Sequence, residues 1–184
     1  MNWFKISQQL LQQQYNMLLQ QAISNIQIVG TGQSEMLQVP GGKPIVAREL
    51  LQRVKMRLAP VLIKNKVNKI DTGRIPQANA QGVAISSEPG TIHIDIGKIF
   101  DSAKRSLPPT TQMDGVQPDP DVINSIVEKV ARWIEGELAE TAAHESKHMV
   151  DYTNAYQNGT PFTSVQEQPA DAFGKQTRNQ YMPN

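Results

Sequence analysis

Thr91-Ile92-His93-Ile94-Asp95-Ile96 alternates strictly between polar and apolar side chains, which is the period of an extended chain. Ile92, Ile94 and Ile96 mark one face, while Thr91, His93 and Asp95 mark the other. The run reads as a half-buried strand with its isoleucines inward. Upstream, Val83-Ala84-Ile85 is a second β-like run, and Ser87-Glu88-Pro89-Gly90 between the two is a hairpin signal. Downstream the period changes. Pro108, Pro109, Pro118 and Pro120 mark a loop, and Asp119 is an N-cap with Pro120 in the first helical position. Val122, Ile123, Ile126, Val127, Val130, Ile134 and Leu138 then fall on one helical stripe. This helix either continues through His144 or breaks near Gly136. A small sheet, antiparallel or mixed, beside substantial helices defines an α+β fold.

The first part of the chain is helical in pattern. Residues 2–25 form a glutamine-rich amphipathic segment, whose apolar positions Leu10, Leu11, Met17, Leu18 and Ile23 are expected to pack against the body. Pro40-Gly41-Gly42 is a turn. A second helix is expected from near Pro44 through Leu50, Leu51, Val54 and Leu58, stopping before Pro60. At the other end, Asn158-Gly159-Thr160-Pro161 stops the long helix. A last short helix holds Ala170 and Phe173. The expected organisation is one domain over residues 1–174, with 1–45 a helical segment packed on it and 175–184 a polar tail.

Composition narrows the chemistry. The 184 residues are enough for a core without covalent staples, and 39% hydrophobic with 19% charged residues is ordinary for a globular chain. The net charge is +1, with Lys and Arg scattered, so no nucleic-acid patch is expected. There is no cysteine, so any metal must be held by His and carboxylate. No apolar run approaches the ~18 residues of a membrane span. The first 24 residues are broken by polar side chains and lack a signal-peptide core. The expectation is a cytoplasmic chain without a membrane partner, and its oligomeric state is not legible.

The chemistry is concentrated in His144-Glu145-Ser146-Lys147-His148. Histidines four apart on a helix lie about 40° apart around its axis, so both imidazoles converge on one point. Glu145 occupies the adjacent edge, within reach of a water on a metal there. That is the division of labour of zinc hydrolysis: the ion acidifies water and polarises a carbonyl, and the carboxylate moves the proton.

Eighteen residues separate His148 from Glu167, and Asp171 follows four later. The combination resembles the gluzincin branch of the zincin metallopeptidases, in which H-E-x-x-H is followed by a glutamate within E-x-x-x-D. The matching stretch covers roughly residues 138–174. The resemblance implies one Zn2+ per chain, held by His144, His148 and Glu167, with Glu145 as general base. It also implies that Asp171 hydrogen-bonds the far nitrogen of a ligand histidine. Lys147 departs from the family pattern, which usually has uncharged residues there, although its stem can carry the ammonium to solvent. Glu167 has a second reading, since Ser164-x-x-Glu167 is a capping-box pattern. Pro169 opposes it, because a helix capped at Ser164 needs a donating N–H at that position.

The implied fold places an edge strand above the active-site helix, and Thr91–Ile96 is its candidate. An extended peptide would add to that edge. Candidates for the oxyanion donor are Tyr152, Tyr156, Tyr181 and His93, with His93 otherwise a solvent-facing residue of the strand. Trp3 and Trp133 are expected in packing roles. The expected function is peptide-bond hydrolysis, as an endopeptidase on peptide or protein substrates. Small gluzincins can be held as zymogens by their terminal segments. The alternative is a zinc-binding regulatory or assembly module with little or no turnover.

Overall fold

A computed structural model describes residues 3–107, 119–159 and 167–181. In chain order the elements are α1 (Trp3–Asn25), β1 (Gln27–Val29), β2 (Met36–Leu37), β3 (Ile45–Val46), α2 (Ala47–Lys64) and β4 (Lys69–Asp71). They continue with β5 (Gly82–Ala84), β6 (Thr91–Ile94), α3 (Ile96–Ser106), α4 (Pro120–Asn158) and α5 (Glu167–Tyr181). The fold is α+β with a small mixed sheet in the order β1-β4-β6-β5. β2 and β3 form a separate hairpin around the Pro40-Gly41-Gly42 turn, closed by the Gly42 N–H donating to Val39 O at 2.9 Å.

The alternating run is internal rather than at an edge. β6 pairs in parallel with β4, Ile92 opposite Ile70, and antiparallel with β5, Val83 opposite His93. The edge strands are β1 and β5, and β5 is the one that packs on α4. The hairpin signal specified one neighbour of β6. The other arrived through a parallel pairing, which links distant segments and leaves no local mark. The run also ends early. Asp95 is buried and caps α3, its Oδ1 accepting from the Lys98 N–H at 3.1 Å and its Oδ2 from the Ile75 N–H at 2.9 Å. Ile96 is the first residue of α3. Thr91 is buried as well, so the polar face of the run does not face water.

Two helix boundaries differ from the local signals. α2 begins after β3 and runs through Pro60 to Lys64. Pro60 is exposed, with Leu58, Ala59 and Leu62 buried around it. A proline deprives one carbonyl of its helical partner, and on this face water can take its place. α5 continues past Gly174 to Tyr181, so residues 175–181 are helix rather than tail, with Thr177 buried in it. The stripe from Val122 onward belongs to one uninterrupted 39-residue helix, capped by Asp119 Oδ1 accepting from the Asp121 N–H at 2.9 Å. The stripe tightens along its length: Val122 is exposed, whereas Ile134 and Leu138 are fully buried. α4 ends at Asn158, and Gly159 takes a left-handed backbone with φ 63°.

α4 packs against β5, β6, α2, α3 and α5. The core joins Leu50, Leu58 and Leu62 of α2, Ile70, Ile92 and Ile94 of the sheet, Ile99 of α3, and Ile134 and Leu138 of α4. Trp133 packs on its margin. The packing expected of α1 is not found: Leu10, Leu11, Met17 and Leu18 are exposed, and Ile23 is the single buried residue among those described in that helix. Among the described residues, no helix is long and apolar enough to cross a membrane. Ser164 and the prolines at 108, 109 and 118 lie outside the described residues.

Candidate metal centre

The motif lies in the second half of α4, where the helix is held from three sides. Ala139, Ala142 and Ala143 are fully buried beside it, small enough to let the sheet and α2 approach closely. Ser146, between the two histidines, is fully buried and accepts a hydrogen bond from Asn65 Nδ2 at 2.8 Å. Asn65 follows α2 directly, so this bond fixes the rotation of α4 against α2. On the opposite side, α5 closes through a glycine contact. A Cβ on Gly174 would lie 2.9 Å from Glu140 O and 3.4 Å from His144 Cβ. Arg178 then ties α5 to α4, with Nη1 2.7 Å from Glu137 Oε1 and 3.0 Å from Glu140 Oε2. Burial opposes the charge on Arg178, but its bonds to Glu140 and Glu137 outweigh that and raise its pKa.

This packing brings the motif residues together. The Nε2 atoms of His144 and His148 are 2.9 Å apart. Glu167, the first residue of α5, puts Oε2 at 3.6 Å from His144 Nε2 and 3.4 Å from His148 Nε2. Asp171 Oδ1 lies 3.1 Å from His144 Nδ1. A proton on Nδ1 facing that carboxylate leaves the Nε2 lone pair directed at the common point. His144, Glu145 and His148 offer atoms within 4.8 Å of one another and can hold a metal ion. Lys147 turns away to pair with Asp151 one turn on.

Glu145 is only 6% exposed. Burial drives its pKa up to about 8, the Ala84 N–H opposes the rise by hydrogen bonding, and the Glu167 charge adds to it. Burial, then the neighbouring His144, lower the pKa of His148 against the pull of Glu167 and Asp151. That keeps the imidazole neutral, the form that binds metals.

These shifts predict a pH dependence for the metal-free chain. Between about 4.5 and about 8 the folded state holds a proton on Glu145 that the unfolded chain has released. Stability therefore falls as pH rises through that window. His148 works the other way: its contribution is complete above the ordinary imidazole value and is lost as pH falls through the lowered one. Glu145→Gln removes only the first contribution. In urea titrations of chelator-treated protein, the variant should gain on the wild type steadily from about pH 4.5 to 8. A difference independent of pH would show that Glu145 is not raised.

The motif faces a cleft of about 500 Å3, bounded by β5, the loop at 77–81, α4 and the start of α5. Its acidic lining comprises Glu137, Glu140, Glu145, Glu167 and Asp171, with Gln77, Asn79 and Gln81 on the facing rim. Lys98 holds that rim, its Nζ donating to the carbonyls of Ile75, Gln77 and Ala80 at 2.8, 2.5 and 2.9 Å. Gly82 lets the edge strand meet α4, since a Cβ there would lie 2.6 Å from Thr141 Cγ2 and 2.7 Å from Glu145 Cγ. A glycine inside a strand pattern is the local sign of such an approach. Nothing local marks Lys98 or Arg178, whose partners are remote in sequence.

Of the candidate oxyanion donors, Tyr152 lines the cleft, 6.2 Å from His148 between ring centroids. Burial first, then the charges of Glu145 and Glu167, raise its pKa, so it keeps its proton. Tyr181 instead packs half-buried on the core. His93 does not line the cleft and does not face solvent. Its side chain is 17% exposed, 3.7 Å from Asp71 and 3.3 Å from Glu88. The Tyr156 side chain lies outside the described residues. No protein-family model, curated protein or solved structure matches the chain.

Proposed function

We propose that the chain is a zinc-dependent peptidase, with His144, His148 and Glu167 as ligands of one zinc ion and Glu145 as general base. The observation that carries this reading is the convergence of three donor atoms at mutual separations of 2.9, 3.6 and 3.4 Å. A tetrahedral zinc with bonds of about 2.0–2.1 Å requires ligand atoms roughly 3.3 Å apart. Two imidazoles and one carboxylate also form a known donor set for a catalytic zinc with an open position.

Bound zinc would polarise the scissile carbonyl and acidify the attacking water. Glu145 is placed to take that water's proton and hand it to the leaving amine. Tyr152, protonated and on the cleft wall, can donate to the developing oxyanion. The free edge of β5 replaces Thr91–Ile96 as the surface to which an extended peptide would add. Main-chain pairing there would align the substrate largely irrespective of its side chains. Asp171 holds His144 in orientation, so Asp171→Ala should leave a folded chain with zinc affinity reduced by ~10–100-fold, measured by competition with a chromophoric chelator. Equal affinity would make Asp171 an ordinary helix carboxylate.

One observation favours a second reading, a metal-binding regulatory or assembly module. The Glu145 carboxyl is buried against Gly82 and accepts from the Ala84 N–H, which restrains it from meeting a water. The deciding experiment is elemental analysis of the purified chain with peptide-library cleavage mapped by mass spectrometry, before and after zinc removal. Zinc near one per chain with zinc-dependent cleavage supports the peptidase. Zinc without cleavage supports the module, and neither zinc nor cleavage rejects both.

A further inference from the structure

α1 is the least accounted-for part of the molecule. Leu10, Leu11, Tyr15, Met17 and Leu18 are 55–66% exposed on this one helix. It joins the body near its C-terminal end through Ile23 and the following Ile26, both buried. None of its residues lines the cleft. Large apolar side chains concentrated this way mark a contact surface.

We infer that the face of α1 carrying Leu11, Tyr15 and Leu18 is a self-association surface, covered by α1 of a second copy of the chain. Spacing is the first argument. Leu11, Tyr15, Leu18 and Ala22 follow one another at intervals of four, three and four, the spacing of a two-helix seam. Leu10 and Met17, seven apart, lie about 100° or more around the axis from that seam and fall outside it.

Charge is the second. Lys5 is the single charged residue between Trp3 and Asn25, alongside seven glutamines. A charged partner has nothing here to complement. A helix lying on a lipid surface characteristically carries Lys and Arg along its polar face, where this one carries glutamine. Each glutamine amide both donates and accepts, so a glutamine-flanked seam is complementary to itself and brings no like-charge repulsion. A two-fold pairing needs that self-complementarity.

The experiment is sedimentation of the full chain over a concentration series, with and without the double substitution Leu11→Gln and Leu18→Gln. The wild type should sediment as a dimer, and the variant as a monomer or with a dissociation constant raised at least tenfold. Circular dichroism should be unchanged, because both side chains are exposed. A second measurement does not depend on that variant folding. The chain has no cysteine, so Tyr15→Cys can form a disulfide only with another copy. Oxidation should yield a covalent dimer from Tyr15→Cys and little from Gln9→Cys on the opposite face. A wild type monomeric up to about 100 µM would overturn the inference. So would a dimer indifferent to both substitutions, or a monomer that sediments with neutral lipid vesicles.

Discussion

His144→Ala should strip the chain of zinc while leaving it folded. In the proposed centre this imidazole is one of three protein ligands, the one that Asp171 orients and that Gly174 of α5 packs against. Its removal leaves His148 and Glu167, which cannot close a tetrahedral site without two solvent positions. Affinity should fall by more than ~100-fold, beyond the cost of losing a hydrogen-bond partner of a ligand. Alanine is a strong helix former, and Ala142 and Ala143 already occupy the preceding positions, so α4 should persist. Elemental analysis after gel filtration, with circular dichroism on the same sample, checks both halves. Full zinc content in a folded His144→Ala chain would place the metal elsewhere and dismiss the ligand assignment.

Glu145→Gln should have the largest effect on turnover and almost none on metal. The amide keeps the size of the carboxylate but cannot take a proton from water, and general-base catalysis of this kind contributes about 10²–10⁴-fold. Zinc should remain near one per chain, since Glu145 is not a ligand in the proposed set. The substitution also removes a buried acid whose ionisation burial resists. The variant should therefore be the more stable protein at alkaline pH, a gain that accompanies lost activity and argues against misfolding as its cause. Cleavage of peptides at an undiminished rate would assign the base to another group. A wild type that holds zinc and cleaves nothing would favour the regulatory or assembly module.

The candidate site and the framework around it differ in how much of each was legible. The helical spacing of His144 and His148, and Glu145 beside them, needed nothing beyond the 3.6-residue turn. The hairpin of β5 and β6, the Asp119 cap and the glycine after α4 were also local signals, each read from a few consecutive residues. β1 and β4, three residues each and joined by a crossover, were too short to show a period. Without them, β6 looked like an edge when it was the middle of a sheet. The same omission placed peptide docking on Thr91–Ile96 rather than on β5.

What the sequence alone determined is the identity of the chemical groups and their local register: two imidazoles on one helix face, a carboxylate beside them, a glutamate and an aspartate one turn apart downstream. What only the tertiary structure decided is which of those groups meet. Glu167 reaches the histidines because Gly174 and Arg178 draw α5 onto α4. Glu145 is buried because Gly82 lets the edge strand close over it. The apolar residues of α1, which by pattern belonged inside, are left uncovered by the rest of their own chain. Periodicity specifies which side of an element is apolar, a property of a few turns of backbone. Which surface covers that side is set by the packing of residues far apart in the chain, and only the folded arrangement contains it.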